Sequence, residues 1–161
     1  MKPVRCQWCT DDPLYQQYHD EEWGVPSHDD RHLFEMLILE GAQAGLNWLT
    51  ILKKREGYRR AFAGFNAEQV ARFSVPEIEK LLLNPGIIRN RSKVNAAVIN
   101  AGRYLDILDE YPSFADYIWR FVDGRPITNH WNSLQQVPAS TPQSTALSLI
   151  HISEPTRLRR I

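Results

Sequence analysis

The stretch LFEMLILEGAQAGLNW, residues 33–48, predicts a central helix and turn around which the rest of the chain is organised. At the helical step of about 100° per residue, Leu33 and Leu37 fall on one face, and Glu40 falls in the middle of that face. Glu35 points away from it, where a solvated charge is expected. We therefore predict that Glu40 is a buried carboxylate in the last turn of its helix, where its charge is costly.

A glycine-rich turn, GAQAG at residues 41–45, separates Glu40 from Trp48. Such a turn brings a second amphipathic segment back alongside the first, so that an acid and a large aromatic ring line one pocket. The same pattern fits a carboxylate that only caps a helix or pairs inside a core. The stretch therefore predicts a pocket and leaves the role of Glu40 open. The charge run Lys53-Lys54-Arg55, at the end of the second segment, is expected to be solvated.

Length indicates one domain, or one domain with a small second lobe, and the composition of the 161 residues, 43% hydrophobic and 24% charged, is that of an ordinary globular chain. The sequence has neither an apolar run of about 18 residues nor a signal peptide, so we expect a cytoplasmic protein without membrane contact. Nineteen basic and nineteen acidic residues cancel, and any contact with nucleic acid must therefore be local. Five tryptophans supply flat surfaces that suit base stacking as well as core packing.

The two cysteines, Cys6 and Cys9, have C-x-x-C spacing. In a cytosolic chain this spacing indicates half of a metal site or a redox pair more than a structural disulfide. His19, and less clearly His28 or His32, are candidate nitrogen ligands for zinc. A closed zinc site needs four ligands, and a second Cys/His cluster further along is missing from the sequence.

Helical patterns continue through the chain, and no stretch longer than four residues alternates convincingly as a strand does, so we predict an all-α fold. Capping boxes predict helices over roughly 67–73 and 75–83. The next residues, NPGIIRNRSK at 84–93, are predicted to form a hairpin, because their proline and glycine end one helix before the next one begins. Its positive charges and the N–H groups of a helix start suit a phosphate, although on spacing alone an ordinary turn between helices with solvated arginines is the commoner case.

Several motifs together resemble the 3-methyladenine DNA glycosylase I family. The N-terminal ones are CxW from Cys6, DPLY at 12–15 and YHDxEWGVP at 18–26. The central one is LEGxQAGLxW at 39–48, and GIIRN at 86–90 lies in the hairpin. The resemblance covers most of the chain. It implies the helix-hairpin-helix DNA glycosylase fold, with double-stranded alkylated DNA as the partner of an expected monomer.

The resemblance also implies which hairpin residues grip the DNA backbone. They are Gly86, Arg89, Arg91 and Lys93.

The implied reaction gives Glu40 and the aromatic residues their roles. Alkylation at N3 makes adenine cationic and weakens its N-glycosidic bond, so the enzyme must extrude the base, recognise it and stabilise a cationic sugar. Glu40 is then the catalytic residue, and electron-rich rings bind the base by cation–π contact. Those rings are Tyr18, Trp23 and Trp48. The expected reaction is hydrolysis that releases 3-methyladenine and leaves an abasic site, without strand cleavage.

The last residues, IHISEPTRLRRI, depart from the family pattern and resemble a translated vector or adapter tail. We therefore predict a glycosylase domain over 1–148 and an aberrant tail over 149–161, with the C-terminal helix and the zinc-closing segment missing. Within the domain, we expect the helix-hairpin-helix lobe over about 50–122. The lobe 1–49, which holds the zinc half-site, is expected to pack with 123–148.

Family members use structural zinc to tie their two ends together, and Cys6 and His19 match the first two ligands. The resemblance thus implies a zinc site that is incomplete in this chain. Two alternatives to a working enzyme stay open at this point. One is a catalytically impaired fragment that acts at most as a DNA-backbone-binding module. The other is an inert fragment, because loss of a core helix can exceed a stability of about 5–15 kcal/mol.

Overall fold

The computed structural model describes residues 4–148, and every regular element in that range is helical. The α-helices are α1 (Pro13–Glu21), α2 (Asp30–Gln43), α3 (Trp48–Ala61), α4 (Ala67–Ala71), α5 (Val75–Leu82), α6 (Arg91–Glu110), α7 (Phe114–Trp119) and α8 (Pro142–Ser148). Short 3₁₀ turns lie at Ala63–Phe65, Arg120–Val122 and Leu134–Gln136. The predicted all-α fold is confirmed. The predicted tail, 149–161, lies outside the described residues.

The starts of the helices follow from local side chains. The Asp12 carboxylate accepts the Leu14 N–H at 3.0 Å at the start of α1, and the Asn47 amide oxygen accepts the Leu49 N–H at 2.7 Å at the start of α3. Such caps satisfy N–H groups that have no partner inside the helix. No helix within residues 4–148 is both long enough and apolar enough to span a membrane.

The largest core cluster takes side chains from α2 through α6. Helix α6 lies against α4 and α2, and α2 also contacts α3 and α7. The most buried large side chains of the cluster are Phe34, Leu39, Ile51, Phe62, Val70, Ile87 and Val94. Because α2 contributes to this cluster, the core continues across the lobe boundary predicted between residues 49 and 50. The division into two lobes stays a prediction.

A smaller aromatic cluster joins α1 to α3. Tyr15 and Tyr18 are buried there against Leu52, and Trp8 is partly buried beside them. Trp48 packs against this cluster and also against the large one. It is therefore a side chain through which the N-terminal segment contacts the main core.

Helix α2 buries a different face from the predicted one. Glu35 is buried, and Glu40 is exposed, so both predictions of their burial are wrong. The buried residues of α2 are Phe34, Glu35, Ile38, Leu39 and Ala42. Apolar residues surround this helix almost completely, so their period does not identify the inward face, and packing against three other helices decides it. The helix also continues through Gly41 and ends at Gln43.

Two arginines of α3 neutralise the buried Glu35 carboxylate. The Nε atoms of Arg55 and Arg59 each donate to its Oε1 at 2.8 Å, and Arg55 Nη1 donates to Glu22 at 2.7 Å. Burial raises the pKa of Glu35, but these hydrogen bonds outweigh burial and hold the pKa below its ordinary value of 4.5. Arg55 was expected in solvent, but its side chain is only 12% exposed, because it links α1, α2 and α3.

The predicted hairpin joins α5 to α6 and lies against α3. The backbone of Gly86 approaches α3 so closely that a Cβ on Gly57 would stand 2.1 Å from the Gly86 carbonyl oxygen. The Ile88 N–H donates to the Tyr58 hydroxyl at 3.1 Å. A glycine at position 57 is therefore required by the close approach of two backbones.

Candidate active site

A pocket of about 230 Å³ opens between α1, the end of α2 and the start of α3. Its lining residues are Trp8, Tyr15, Tyr18, Trp23, Glu40, Gln43 and Trp48. The four residues predicted for catalysis and base binding therefore line one cavity. Sequence reasoning missed three of the lining residues. For Tyr15 a signal existed, because it precedes Tyr18 by three residues and so shares its helix face.

Aromatic rings form most of the wall of this pocket. The Trp8 and Trp23 rings meet edge to face with centroids 5.2 Å apart, and the Tyr18 and Trp48 rings are 5.5 Å apart. Tyr18 is 8% exposed, whereas Trp23 is 48% exposed and has room for a ligand. Negative ring faces around a small volume attract a flat cation.

Tyr18 is a protonated hydroxyl at neutral pH. Burial raises the pKa of Tyr18 to about 12, and the carboxylates of Glu40 and Glu22 act in the same direction. The indole N–H of Trp48 approaches the Tyr18 oxygen closely enough to oppose this shift. The same buried Nε1 nevertheless reaches hydrogen-bond geometry with no group in the described part of the chain. The pocket thus contains a phenol and an unused N–H donor beside a carboxylate.

Glu40 lies on α2 where a carboxylate is unfavourable for the helix itself. It belongs to the last turn, where the helix dipole is negative, and its side chain is exposed on the pocket wall. The negative charge at this end of α2 therefore attracts a cation that enters the pocket. The predicted catalytic role of Glu40 stays a prediction, although the burial on which it first rested is wrong.

Cys6 and His19, the predicted zinc ligands, are neighbours. The Cys6 backbone N–H donates to His19 Nε2 at 3.2 Å, and His19 Nδ1 lies 2.9 Å from the Asp20 carboxylate. Nε2 is thus the unprotonated nitrogen, and a carboxylate orients the ring as in many metal sites. Residues 4–148 contain no group of three or more His, Cys, Asp or Glu side chains that could hold a metal ion. The weaker candidate His28 instead stacks on an indole ring of α7.

The hairpin residues predicted to contact DNA lie in three different environments. Arg89 is exposed, and Arg91 forms an exposed ion pair with Glu79, with Nη2 and Oε2 2.9 Å apart. Lys93 is only 9% exposed, and its ammonium donates to two backbone carbonyls at the end of α2. The prediction that Lys93 grips a phosphate is therefore corrected, because its charge points into the protein.

Known proteins resemble this chain in sequence and fold. A family model for methyladenine glycosylases matches residues 8–150. DNA-3-methyladenine glycosylase 1 of Escherichia coli (strain K12) is 46% identical over 144 residues, which cover 89% of this chain and 77% of the relative. A crystal structure of 3-methyladenine DNA glycosylase I matches with a TM-score of 0.87 and 50% identity, covering 90% of this chain and 80% of that one. The corresponding enzyme of Staphylococcus aureus, whose structure describes 3-methyladenine recognition, matches with a TM-score of 0.86 and 40% identity over 89% of this chain and 77% of that one.

Proposed function

The chain belongs to the methyladenine glycosylase family, and on that premise we propose how its pocket releases 3-methyladenine from DNA. The protein is a DNA glycosylase, a hydrolase that acts on N-glycosyl bonds in base-excision repair. We propose that it acts on double-stranded alkylated DNA as a cytoplasmic monomer and leaves an abasic site without strand cleavage.

The observation that carries this proposal is a carboxylate in a pocket walled by five aromatic side chains. Methylation at N3 gives adenine a positive charge, which makes the base a good leaving group and a ligand for electron-rich rings. Each cation–π contact contributes about 1–2 kcal/mol in a dry site. Binding is therefore tighter for the cationic base than for undamaged adenine, which selects the damaged base after it has been flipped out of the duplex.

Glu40 is proposed to act through its negative charge. Its carboxylate accepts a hydrogen bond from the exocyclic amine of the base, and its negative charge stabilises the oxocarbenium-like sugar as the bond breaks. The protonated Tyr18 hydroxyl and the Trp48 N–H are donors suited to the ring nitrogens that carry no methyl group. These donors fix the orientation of the base, while Glu40 supplies the charge.

The hairpin supplies a local contact with DNA in a protein of zero net charge. We propose that Gly86, Arg89 and Arg91 contact the DNA backbone. The exposed Arg91–Glu79 pair is worth little in water, so Arg91 can exchange its carboxylate partner for a phosphate. Arg89→Met should weaken binding to all duplexes similarly and reduce the salt dependence by about one ion.

Release of base from methylated duplex DNA tests the proposed reaction. Glu40→Gln keeps the size of the side chain and removes its charge, so we expect the single-turnover rate to fall about a hundredfold. Glu68→Gln, an exposed carboxylate change on α4, is the matched control and should release base at the wild-type rate. Wild-type release by Glu40→Gln would remove Glu40 from its role. Duplex binding without release by the wild type would support the binding-module alternative.

We propose further that Cys6 and His19 bind a structural zinc ion and that this site is incomplete. The proximity of Cys6 and His19, whose Nε2 accepts the Cys6 backbone N–H at 3.2 Å and would exchange this bond for zinc, supports the first statement. The absence of a larger ligand group within residues 4–148 supports the second. Zinc would stabilise the N-terminal segment and take no part in the reaction. We expect dialysed protein to hold less than one zinc ion per chain by mass spectrometry, and Cys6→Ser to hold less still. One tightly bound ion per chain would contradict incompleteness.

A further inference from the structure

Lys93 is a buried cation that the proposed reaction does not use. It lies in the first turn of α6 and is 9% exposed. Its Nζ donates to the carbonyl oxygens of Ala42 and Ala44, both at 2.7 Å. Ala42 is in the last turn of α2, where carbonyls have no partner inside the helix, and Ala44 is the C-cap residue that follows the helix. The ammonium therefore closes the C-terminus of α2, where a positive charge is favourable.

The segment held by Lys93 connects two walls of the pocket. Glu40 and Gln43 line the pocket at the end of α2, and Trp48 lines it at the start of α3. Only four residues separate the two helices, and among them Gly45 takes a left-handed conformation with φ of +75°. The shape of this short turn sets the distance between the carboxylate and the indole.

The hairpin that contains Lys93 is also hydrogen-bonded to α3. Lys54 Nζ donates to the Pro85 carbonyl oxygen at 2.7 Å. Helix α3 begins with Trp48, and α2 ends close to Glu40. The hairpin and the start of α6 are thus hydrogen-bonded to α3 and to the end of α2, two of the three helices that carry the pocket walls.

We propose that Lys93 is a positioning residue for base recognition, which holds the end of α2 and thereby fixes the spacing of Glu40 and Trp48. It touches neither the base nor the glycosidic bond and acts through the backbone of residues 42–44. The same contact links the pocket to the hairpin, so that the base site and the DNA-backbone site keep one relative position. This inference rests on the proposed function, because it concerns how the same pocket is shaped.

Lys93→Met tests the proposal, because it keeps the length of the apolar stem and removes the ammonium. Well below the melting temperature, we expect its affinity for free 3-methyladenine to fall about tenfold. Its affinity for a duplex that carries an abasic-site analogue, which leaves the base pocket empty, should change much less. Lys80→Met is the control, because it makes the same substitution at an exposed lysine of α5 and should bind the free base as the wild type does.

A merely structural role would lower the melting temperature of Lys93→Met and leave the base affinity of the folded protein unchanged, and that result would overturn the proposal. If Lys93→Met does not melt cooperatively, Lys93→Arg decides. Its planar guanidinium keeps the charge but does not fit the position of an ammonium between two carbonyls, so we expect about a threefold loss of base affinity. Wild-type affinity in folded Lys93→Arg would also overturn the proposal. A wild-type protein that neither binds nor releases the base would overturn the proposed function itself.

Discussion

The two carboxylates of α2 lie in opposite environments. Glu35 is 6% exposed and accepts hydrogen bonds from two arginines of α3. Glu40, five residues later, is exposed on the wall of an aromatic pocket. One helix therefore carries a charge whose partners are built into the fold and a charge placed where an incoming ligand can reach it.

This difference separates a stabilising carboxylate from one available for chemistry. A buried charge must be paired within the protein, because an unpaired one costs several kcal/mol. Glu35 is therefore enclosed with its two arginines, away from any position that a substrate occupies. An accessible carboxylate beside aromatic rings lies where the cationic damaged base can reach it. The region around Glu35 should therefore respond to mutation in stability, and the region around Glu40 in binding and reaction.

The largest expected effect is the loss of stability in Glu35→Gln. The change replaces the carboxylate between Arg55 and Arg59 by a neutral amide and leaves Glu22 as the remaining partner of the buried Arg55, so we expect the free energy of unfolding to fall by about 2 kcal/mol. Urea unfolding followed by circular dichroism measures it. The control is Glu56→Gln, which removes an exposed partner of Arg59 and should cost less than about 1 kcal/mol. Equal losses in the two variants would show that the buried Glu35 contributes no more to stability than the exposed Glu56.

Next in size is the effect of Trp23→Leu on the pocket. Loss of one ring that stacks on the base should lower the affinity for free 3-methyladenine about tenfold, measured by calorimetric titration. Trp131→Leu is a closely matched control, because Trp131 is also 48% exposed and does not line the pocket. A similar loss of affinity in both variants would show that Trp23 does not bind the base.

A pH series sharpens the contrast further. The pKa of Glu35 lies below its ordinary value of 4.5 in the folded protein, so its stabilisation is complete above that pH and is lost as the pH falls through the folded-state value. Between about pH 5 and pH 3, the wild type should therefore lose more stability than Glu35→Gln. Urea midpoints at each pH measure the difference in stability between the wild type and Glu35→Gln. The contributions of the other carboxylates are common to both proteins and cancel in this difference. Parallel profiles would show that Glu35 contributes nothing.

The smallest expected effect is that of Glu40→Gln on stability. Because Glu40 is exposed, the free energy of unfolding of the Glu40→Gln variant should stay within about 0.5 kcal/mol of the wild-type value. The same urea experiments measure it. An unchanged stability would mean that the slower base release of Glu40→Gln comes from the reaction and not from unfolding. A loss comparable to that of Glu35→Gln would mean that Glu40 serves the fold.

Several features were predictable because their causes are local. The capping box at Ser74 and Glu77 starts α5, and the hairpin at residues 84–93 lies between α5 and α6. Side chains within three or four residues supply these signals. The aromatic residues of α1 and the acid of α2 were also predicted to line one pocket, and Tyr18 and Glu40 do so. Trp8 was missed, because it lies outside any helix and no period marks it.

The sequence by itself determined the helical class, the helix starts, the hairpin and the family, since each depends on neighbouring residues or on motifs read in order. Tertiary structure alone decided which carboxylate of α2 is buried and where the charge of Lys93 points. A helix that is apolar nearly all round has no preferred inward face until other helices pack against it. Likewise, the carbonyls that hold Lys93 lie 49 and 51 residues away along the chain, a distance over which only folding brings groups together.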